Sequence, residues 1–286
     1  MSLPWLIVAI AAYLVGAPLA GGLLAGIDRK LSARLQGRWG PPILQPFYDV
    51  AKLLQKENIV VRRSQSFYIY FFFVFTVFTG GLFFSGGDLL LTIFALTLAG
   101  IFFVLGAYKA SSPYSFIGAE RELIQMMSYE PMVLLTAVGM YQVTGSFFVG
   151  DILAARHLLV LSLPGLFLGF IFILVFKMRK SPFDLAGSHH AHQEIVRGVT
   201  TEFSGRTLAL IEVAHWYETV IVLGVVALFF ARIPWLAAAA TAAVYLFVIL
   251  VDNVFARVKW QLALASAWIV AATLGVGNIL VVFFLR

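Results

Sequence analysis

The sequence contains no cysteine and few charged residues. Cysteine is absent from all 286 positions, and Asp, Glu, Lys and Arg together make up only 12% of the chain. Without cysteine the chain supplies neither a disulfide nor a thiolate ligand for zinc or an iron–sulfur cluster. A soluble domain is about a quarter charged, so the composition excludes a soluble enzyme. If the chain takes part in redox chemistry, a partner must hold the metals.

The sequence is instead rich in apolar residues. Hydrophobic residues make up 61% of the chain, and the mean hydropathy is +0.94. A bilayer-spanning helix needs about 20 apolar residues, and eight stretches of that kind are present. They lie at residues 3–26, 67–85, 88–110, 123–149, 157–177, 206–231, 233–251 and 262–284. The sequence therefore predicts an all-α polytopic membrane protein with about eight transmembrane helices, forming a single transmembrane domain over residues 1–286.

The positive charges predict how the chain is oriented. All but three of the 20 Lys and Arg residues lie in loops on one side of the predicted membrane; the exceptions are Arg156, Arg232 and Arg286. Cytoplasmic loops are enriched in Lys and Arg. We therefore expect a cytoplasmic-membrane protein with both termini outside and with its two long loops, about 27–66 and 178–205, in the cytoplasm. The net charge of +6 fits such loops, and no nucleic-acid partner is expected.

The first long loop contains a short amphipathic segment. After Pro46, apolar and charged residues take different faces of a helix. The apolar residues are Phe47, Val50, Leu53 and Leu54, and the charged residues are Asp49, Lys52 and Lys56. This pattern predicts a cytoplasmic amphipathic helix at the membrane interface after the first span. It could serve as a surface anchor or as a docking site for a partner, and the two roles are compatible.

Three ionisable residues share one face of the sixth span. Glu212, His215 and Glu218 follow each other at intervals of three residues, which places them within a sector of about 120°. Each such group costs roughly 2.5–3.5 kcal/mol on insertion into a membrane. The row favours a proton or ion path, and a set of satisfied hydrogen bonds between helices is the alternative.

Further acidic residues and histidines lie outside that row. Glu122 and Glu130 stand near the start of the fourth span, where a solvated helix end is the alternative interpretation. The second long loop contributes Asp184, Glu194, Glu202, His189, His190 and His192. Buried carboxyls and histidines titrate near neutral pH, so such groups could relay protons. The three histidines do not share a helix face, and we expect them to serve an interface rather than a metal.

Three segments together resemble one family, the NADH dehydrogenase subunit 1 proteins, which form part of the membrane arm of respiratory complex I, together with their hydrogenase relatives. The first segment contains QGRWGP at 36–41, LQP at 44–46 and KLLQKE at 52–57. The second is QMMSYE at 125–130. The third contains SPFDL at 181–185, EIVRG at 194–198 and TEFSG at 201–205. Their order and spacing match over about residues 1–284.

Two departures from the complex I pattern look like the energy-converting, Ech-type branch of group 4 NiFe hydrogenases. The stretch SHHAHQE at 188–194 replaces the acidic run typical of complex I. His215, within IEVAHWYE at 211–218, stands where complex I members usually have Glu. The chain is also short, which fits this branch.

The resemblance implies an energy-coupling role without any cofactor in this chain. The protein would anchor a ferredoxin-linked membrane-bound hydrogenase and link its electron transfer to proton or sodium translocation. The NiFe centre and iron–sulfur clusters are expected in the large and small subunits on the cytoplasmic side. An antiporter-like subunit, the lipid bilayer and ferredoxin complete the expected partners. The alternatives are the corresponding membrane subunit of a complex I-type quinone reductase and a stand-alone secondary ion transporter.

The resemblance also assigns expected roles to individual residues. The coupling positions that match family acidic residues are Glu130, Asp184, Glu194 and Glu202; Glu122 and the row Glu212, His215 and Glu218 are added from the residue pattern. The expected partner-docking residues are Arg38, Gln45, Pro46, Lys52, Pro182, Phe183, His189, His190 and His192. No catalytic residue and no metal ligand is expected.

Overall fold

A computed structural model describes residues 3–59, 62–155, 157–187 and 197–285. Within these ranges the chain is helical throughout, apart from loops and one isolated bridge between Asp88 and Phe148. The helices are α1 (Leu3–Leu35), α2 (Gln45–Gln55), α3 (Arg63–Phe84), α4 (Leu89–Tyr108), α5 (Pro113–Thr144), α6 (Val149–Leu153), α7 (Leu159–Ser162), α8 (Pro164–Lys177), α9 (Gly205–Leu228), α10 (Pro234–Val254), α11 (Trp260–Val270) and α12 (Gly277–Leu285). A 3₁₀ turn occupies Gly198–Thr200, and a π-helical turn, Ala271–Val276, joins α11 to α12. The predicted all-α class is confirmed.

In the described part of the chain, seven helices are long and apolar enough to cross a membrane. The seven are α1, α3, α4, α5, α9, α10 and the continuous segment from α11 to α12. The predicted span 157–177 differs, because it forms α7 and the 14-residue α8 instead of one long helix. Pro164 stands in the first turn of α8, where its missing N–H costs nothing. The fifth apolar stretch therefore forms two short helices.

Helix α5 begins earlier than the sequence predicts. It begins at Pro113 rather than near residue 123, and it continues through Pro131. The charged residues before 123 lie inside this helix, and Glu122 is buried, with 3% of its surface exposed. The helix ends before Gly145, whose φ of 77° is a left-handed conformation that glycine adopts readily. Apolarity alone misplaced the start because a helix can continue through charged residues.

The chain divides into two compact units, and the first is formed by Met1–Gly81, Ala95–Ile124 and Asp184–Val220. Its core includes Tyr13, Ala17 and Tyr217, against which Phe73 packs. This unit contains α2 and the first part of α9, which the sequence selects as functional segments. It therefore holds most of the candidate site.

The second unit is formed by Leu82–Phe94, Gln125–Phe183 and Ile221–Arg286. Its aromatic core includes Phe170 and Phe229, whose ring centroids are 6.3 Å apart. Near the π-helical turn, the side-chain oxygen of Asn278 accepts a hydrogen bond of 3.1 Å from the backbone N–H of Leu166. This bond satisfies one of the free donors at the start of α8. That residues 1–286 form a single domain stays a prediction.

Candidate coupling and docking site

The amphipathic helix predicted after the first span is α2, and a charged network ties it to α1. The Arg29 guanidinium donates to one carboxylate oxygen of Asp49 at 2.5 Å, and the side-chain amide of Gln45 donates to the other at 2.9 Å. Burial raises the pKa of Asp49, but the hydrogen bonds from Arg29 and Gln45 and the charges of Arg29 and Lys52 outweigh it. The net pKa is lowered, so Asp49 is ionised at neutral pH.

Two glycines of α1 allow the α2 segment to approach closely. A Cβ on Gly22 would come within 2.5 Å of the Phe47 ring, and a Cβ on Gly26 would overlap the backbone oxygen of Ile43. Small residues permit this close packing of helices. The spacing of Gly22 and Gly26, one helical turn apart, places both on the face that receives the first loop.

A set of hydrogen bonds joins the first long loop to the second. The hydroxyl of Ser204 accepts from the Ile59 N–H at 3.1 Å and donates to the Ile59 carbonyl at 3.0 Å. Thr207 donates to the Asn58 side-chain oxygen at 3.1 Å. We call these four residues the loop clasp. It brings together the family segments KLLQKE and TEFSG, which are far apart in sequence.

Backbone geometry next to the loop clasp requires a glycine. Gly205 has a φ of 52°, and a Cβ there would lie 2.6 Å from the backbone oxygen of Glu57. The side chain of Gln65 adds a further link by donating to the backbone oxygen of Glu202 at 3.3 Å. The backbone of the TEFSG segment is thus held on both sides of Phe203, by Gln65 at Glu202 and by the close approach of Glu57 at Gly205.

The predicted row on the sixth span lies along α9 in three different surroundings. Glu212 is half-buried and lines a cavity. The His215 ring meets Phe72 and Phe103 edge-on, at centroid distances of 5.9 and 5.7 Å. Glu218 is buried, with 4% of its surface exposed. The row therefore runs from a partly open carboxyl, through a histidine among aromatic rings, to a buried carboxyl.

The neighbours of this row fix α9 against α1. The Tyr217 ring lies 5.4 Å from that of Tyr13, and its hydroxyl donates to the Leu14 carbonyl at 2.7 Å. A Cβ on Gly21 would lie 2.6 Å from the Trp216 Cβ, so the two helices are in close contact. These contacts fix the rotation of α9 about its own axis, and so they fix the direction in which its ionisable residues point.

The remaining predicted site residues fall in several places. Glu122 is buried, and Glu130, Asp184 and Glu202 are half-buried. Of the predicted docking residues, Arg38 and Lys52 are exposed, Gln45 is half-buried, and Pro46, Pro182 and Phe183 are buried. Glu194, His189, His190 and His192 lie outside the described residues. The coupling and docking roles of all these residues stay predictions.

Sequence reasoning missed an ion pair in the second unit. Asp252, at the end of α10, accepts from the Lys180 ammonium at 3.1 Å and from the Ser181 N–H at 2.8 Å. The Ser181 hydroxyl in turn donates to the Phe255 carbonyl at 2.9 Å. These bonds hold the beginning of the second long loop. No local pattern reveals them, because the partners are about 70 residues apart.

The QMMSYE segment of α5 packs against the end of α8. The Gln125 side chain donates to the Phe176 carbonyl at 2.5 Å, and the Lys177 ammonium lies 3.2 Å from the Tyr129 hydroxyl. Phe176 also stacks on Phe183 at a centroid distance of 3.9 Å. The QMMSYE segment thus supports the end of α8, and Phe176 of α8 packs against the start of the second long loop. Among the described residues, no group of three or more His, Asp or Glu side chains could hold a metal.

The chain is similar to several known proteins. The family described as NADH dehydrogenase matches residues 7–283. The H subunit of NADH-quinone oxidoreductase from Anaplasma marginale is 29% identical over 76% of this chain and 71% of its own length. Hydrogenase-4 component C of Escherichia coli is 31% identical over 68% of this chain and 64% of its own length. The H subunit of F(420)H(2) dehydrogenase from Methanosarcina acetivorans is 28% identical over 80% of this chain and 73% of its own length.

A solved structure has the same fold. The chain matches one in the membrane-bound sulfane sulfur reductase, an archaeal respiratory membrane complex, with a TM-score of 0.83 and 25% identity over 96% of this chain and 99% of the other. The fold and these relatives define a class, the membrane subunits of complex I-like energy-converting complexes. Within that class, this chain belongs to the NADH dehydrogenase subunit 1 family. The resemblance seen in the sequence is confirmed.

Proposed function

We propose that this chain is the membrane-anchoring and energy-coupling subunit of a ferredoxin-linked, membrane-bound NiFe hydrogenase. The observation that carries the proposal is the 31% identity with Hydrogenase-4 component C. His215, which stands where complex I members usually have Glu, supports the same assignment, and its ring packs edge-on against Phe72 and Phe103. In this role the chain links hydrogen–ferredoxin electron transfer in the peripheral arm to proton or sodium translocation.

The loop clasp and α2 supply the docking surface in this proposal. They join both long loops into one structure, and Arg38 and Lys52 are exposed there. The large and small hydrogenase subunits, with the NiFe centre and iron–sulfur clusters, would bind on this cytoplasmic face. An antiporter-like subunit would contact the membrane spans laterally. Both termini would then lie outside.

Coupling in this proposal runs through ionisable groups of the membrane spans and of the second long loop. The candidates are Glu122, Glu130, Asp184, Glu194, Glu202, Glu212, His215 and Glu218. When a carboxyl is poorly solvated, a change in a neighbouring charge alters its protonation strongly. A redox step beside the second loop would shift protonation along these groups and so drive ion transfer.

Substitutions at two of these carboxyls test the coupling. Glu130→Gln and Glu202→Gln should each lower ion transport into vesicles by at least about tenfold, as loss of a proton-transfer group does. Electron exchange between the peripheral subunits and hydrogen should stay intact. Glu120→Gln is the control, because Glu120 is exposed on α5. Full ion transport in both test variants would refute the coupling role.

A second candidate function is that of the corresponding membrane subunit in a complex I-type quinone reductase. The 29% identity with the protein from Anaplasma marginale favours it. Metal analysis of the native complex, isolated through a tag on this chain, separates the two. About one nickel per complex, together with iron, supports the hydrogenase. Iron without nickel, with turnover that requires quinone, supports the reductase, and a chain that purifies alone without metal and transports ions supports a stand-alone transporter.

A further inference from the structure

A cavity of about 740 Å³ lies beside the amphipathic helix, entirely within the first unit. Helix α2 forms one wall, residues 197–205 form a second, and the first turns of α9 form a third. This volume lies within the usual range of ligand-binding cavities in proteins. Neither the loop clasp nor the row on α9 accounts for a space of this size.

Basic residues dominate the charged lining of this cavity. Lys52 and Lys56 come from α2, and Arg197 comes from the opposite wall. The fourth cation, Arg29, is engaged with Asp49, and Glu212 is the other carboxyl in the lining. Four cations therefore face two carboxylates, and the balance favours an anionic ligand.

The rest of the lining combines apolar side chains with the hydroxyls of Thr200, Thr201 and Ser204, and it extends along a membrane span. Val50 and Leu53 line the cavity from α2, and Leu208 and Trp216 line it from α9. Gly205 and Trp216 both belong to this wall and are about 16 Å apart along the helix axis. A ligand that fills the cavity would meet charged groups and apolar groups together. This combination suits an amphiphile better than a free anion.

We propose that the cavity binds an anionic phospholipid, with the headgroup phosphate held by Lys52, Lys56 and Arg197. Lysine and arginine bind phosphate through charge-assisted hydrogen bonds. Basic residues next to an amphipathic helix attract the anionic lipids of the cytoplasmic leaflet. The acyl chains would follow Leu53 and Trp216. Such a lipid connects α2 to the second loop, so it stabilises the surface formed by the loop clasp.

The binding experiment uses the complex purified through a tag on this chain and reconstituted in phosphatidylcholine vesicles. The vesicles contain a small amount of photoactivatable phosphatidylglycerol, and the sites of cross-linking are mapped by mass spectrometry. Cross-links are expected on peptides that contain Leu53 and Trp216. Photoactivatable phosphatidylcholine should label these peptides much less. Equal labelling by both lipids would overturn the proposal, because charge would then play no part.

Matched variants test the role of the basic residues. The double variant K56Q/R197Q should lower phosphatidylglycerol labelling of the cavity by at least about fivefold. K56R/R197K keeps the charges and should retain the labelling. The control R62Q/K259Q removes two exposed cations that do not line the cavity, and it should label normally. Unchanged labelling of K56Q/R197Q would overturn the proposal.

A competition experiment separates lipid from free phosphate. Inorganic phosphate at millimolar concentration should leave the lipid labelling unchanged. If it abolishes the labelling of Leu53 and Trp216 peptides, the cavity is a site for a small anion rather than a lipid. A short-chain quinone provides a second competitor. If it displaces the lipid equally well from the native protein and from K56Q/R197Q, the cavity binds a neutral ligand. Either result would overturn the proposal.

Discussion

The hydroxyl of Tyr217 donates a hydrogen bond to the backbone carbonyl of Leu14, 2.7 Å away. Pro18 stands four residues after Leu14 in α1, and proline has no N–H to donate to that carbonyl. An unsatisfied backbone group is costly where water is excluded. Tyr217 therefore replaces the missing backbone donor, and it does so from the helix that bears the row of ionisable residues.

Removing this hydroxyl should weaken the contact between α1 and α9. Tyr217→Phe should lower the free energy of unfolding by about 1 kcal/mol, the usual net contribution of one hydrogen bond. Denaturant unfolding of the purified complex measures this change. Tyr70→Phe is the control, because Tyr70 is an exposed residue of α3.

The same substitution in a Pro18→Ala protein tests whether Pro18 is the reason that the Tyr217 hydroxyl is needed. Pro18→Ala restores an N–H that can bond to the Leu14 carbonyl within α1. In that background, Tyr217→Phe should cost clearly less than in the native sequence. An equal cost in both backgrounds would mean that Pro18 does not create the need for the Tyr217 hydroxyl.

The glycines of α1 allow a second prediction with an internal control. Gly26→Ala places a Cβ against the backbone oxygen of Ile43, so the loop must shift. We expect a loss of about 1–3 kcal/mol in stability, as for other overpacked sites. Gly16→Ala should be neutral or stabilising, because nothing lies within 4 Å of the added Cβ and alanine favours helix. Thermal unfolding measures the stability of both variants, and equal effects would contradict the close approach at Gly26.

The carboxylate of Asp252 should control the order of the second loop at its beginning. Asp252→Ala removes the partner of both Lys180 and the Ser181 N–H. Loss of a charged acceptor costs about 1.5–3 kcal/mol, so amide exchange in residues 178–183 should accelerate by about tenfold or more. Asp252→Asn keeps an oxygen acceptor for Ser181 and should have a smaller effect. Hydrogen exchange with mass spectrometry measures both, and unchanged exchange in Asp252→Ala would refute the role.

The lowered pKa of Asp49 predicts how the α1–α2 contact responds to acid. Because the pKa in the folded protein is below its ordinary value of 3.8, the contribution of Asp49 to stability is fully present above that value. It is lost as the pH falls through the lowered pKa. The protection of the α2 amides, relative to their intrinsic exchange rates at each pH, should therefore fall with acidification in this range. Asp49→Asn should remove that pH dependence, and an unchanged dependence would show that another group is responsible.

The helical architecture followed from local patterns in the sequence. Apolar stretches located the membrane spans, and the alternation around Phe47 and Lys52 located α2. The start of α5 was misplaced because its charged first turns do not resemble a span. The stretch at 157–177 was predicted as one span because apolarity does not reveal the break before Pro164. Each of these patterns is local, so each predicts helices better than their exact ends.

The site depended on contacts that no local pattern contains. The row at Glu212, His215 and Glu218 could be placed on one helix face from spacing alone. The loop clasp and the cavity could not, because their residues come from segments that are far apart in the chain. The bond between Tyr217 and Leu14 joins residues 203 positions apart. Only the folded arrangement of the helices brings such groups together.

The loop clasp can form only late in the synthesis of the chain. Ser204 follows Ile59 by 145 residues, and a ribosome adds about 5–20 residues per second. The first loop therefore waits roughly 7–30 s before its partner is synthesised. During that interval α1, α3, α4 and α5 can enter the membrane, but the surface formed by both loops does not yet exist. A protein that recognises the surface formed by both loops can therefore bind only chains whose synthesis has passed Thr207.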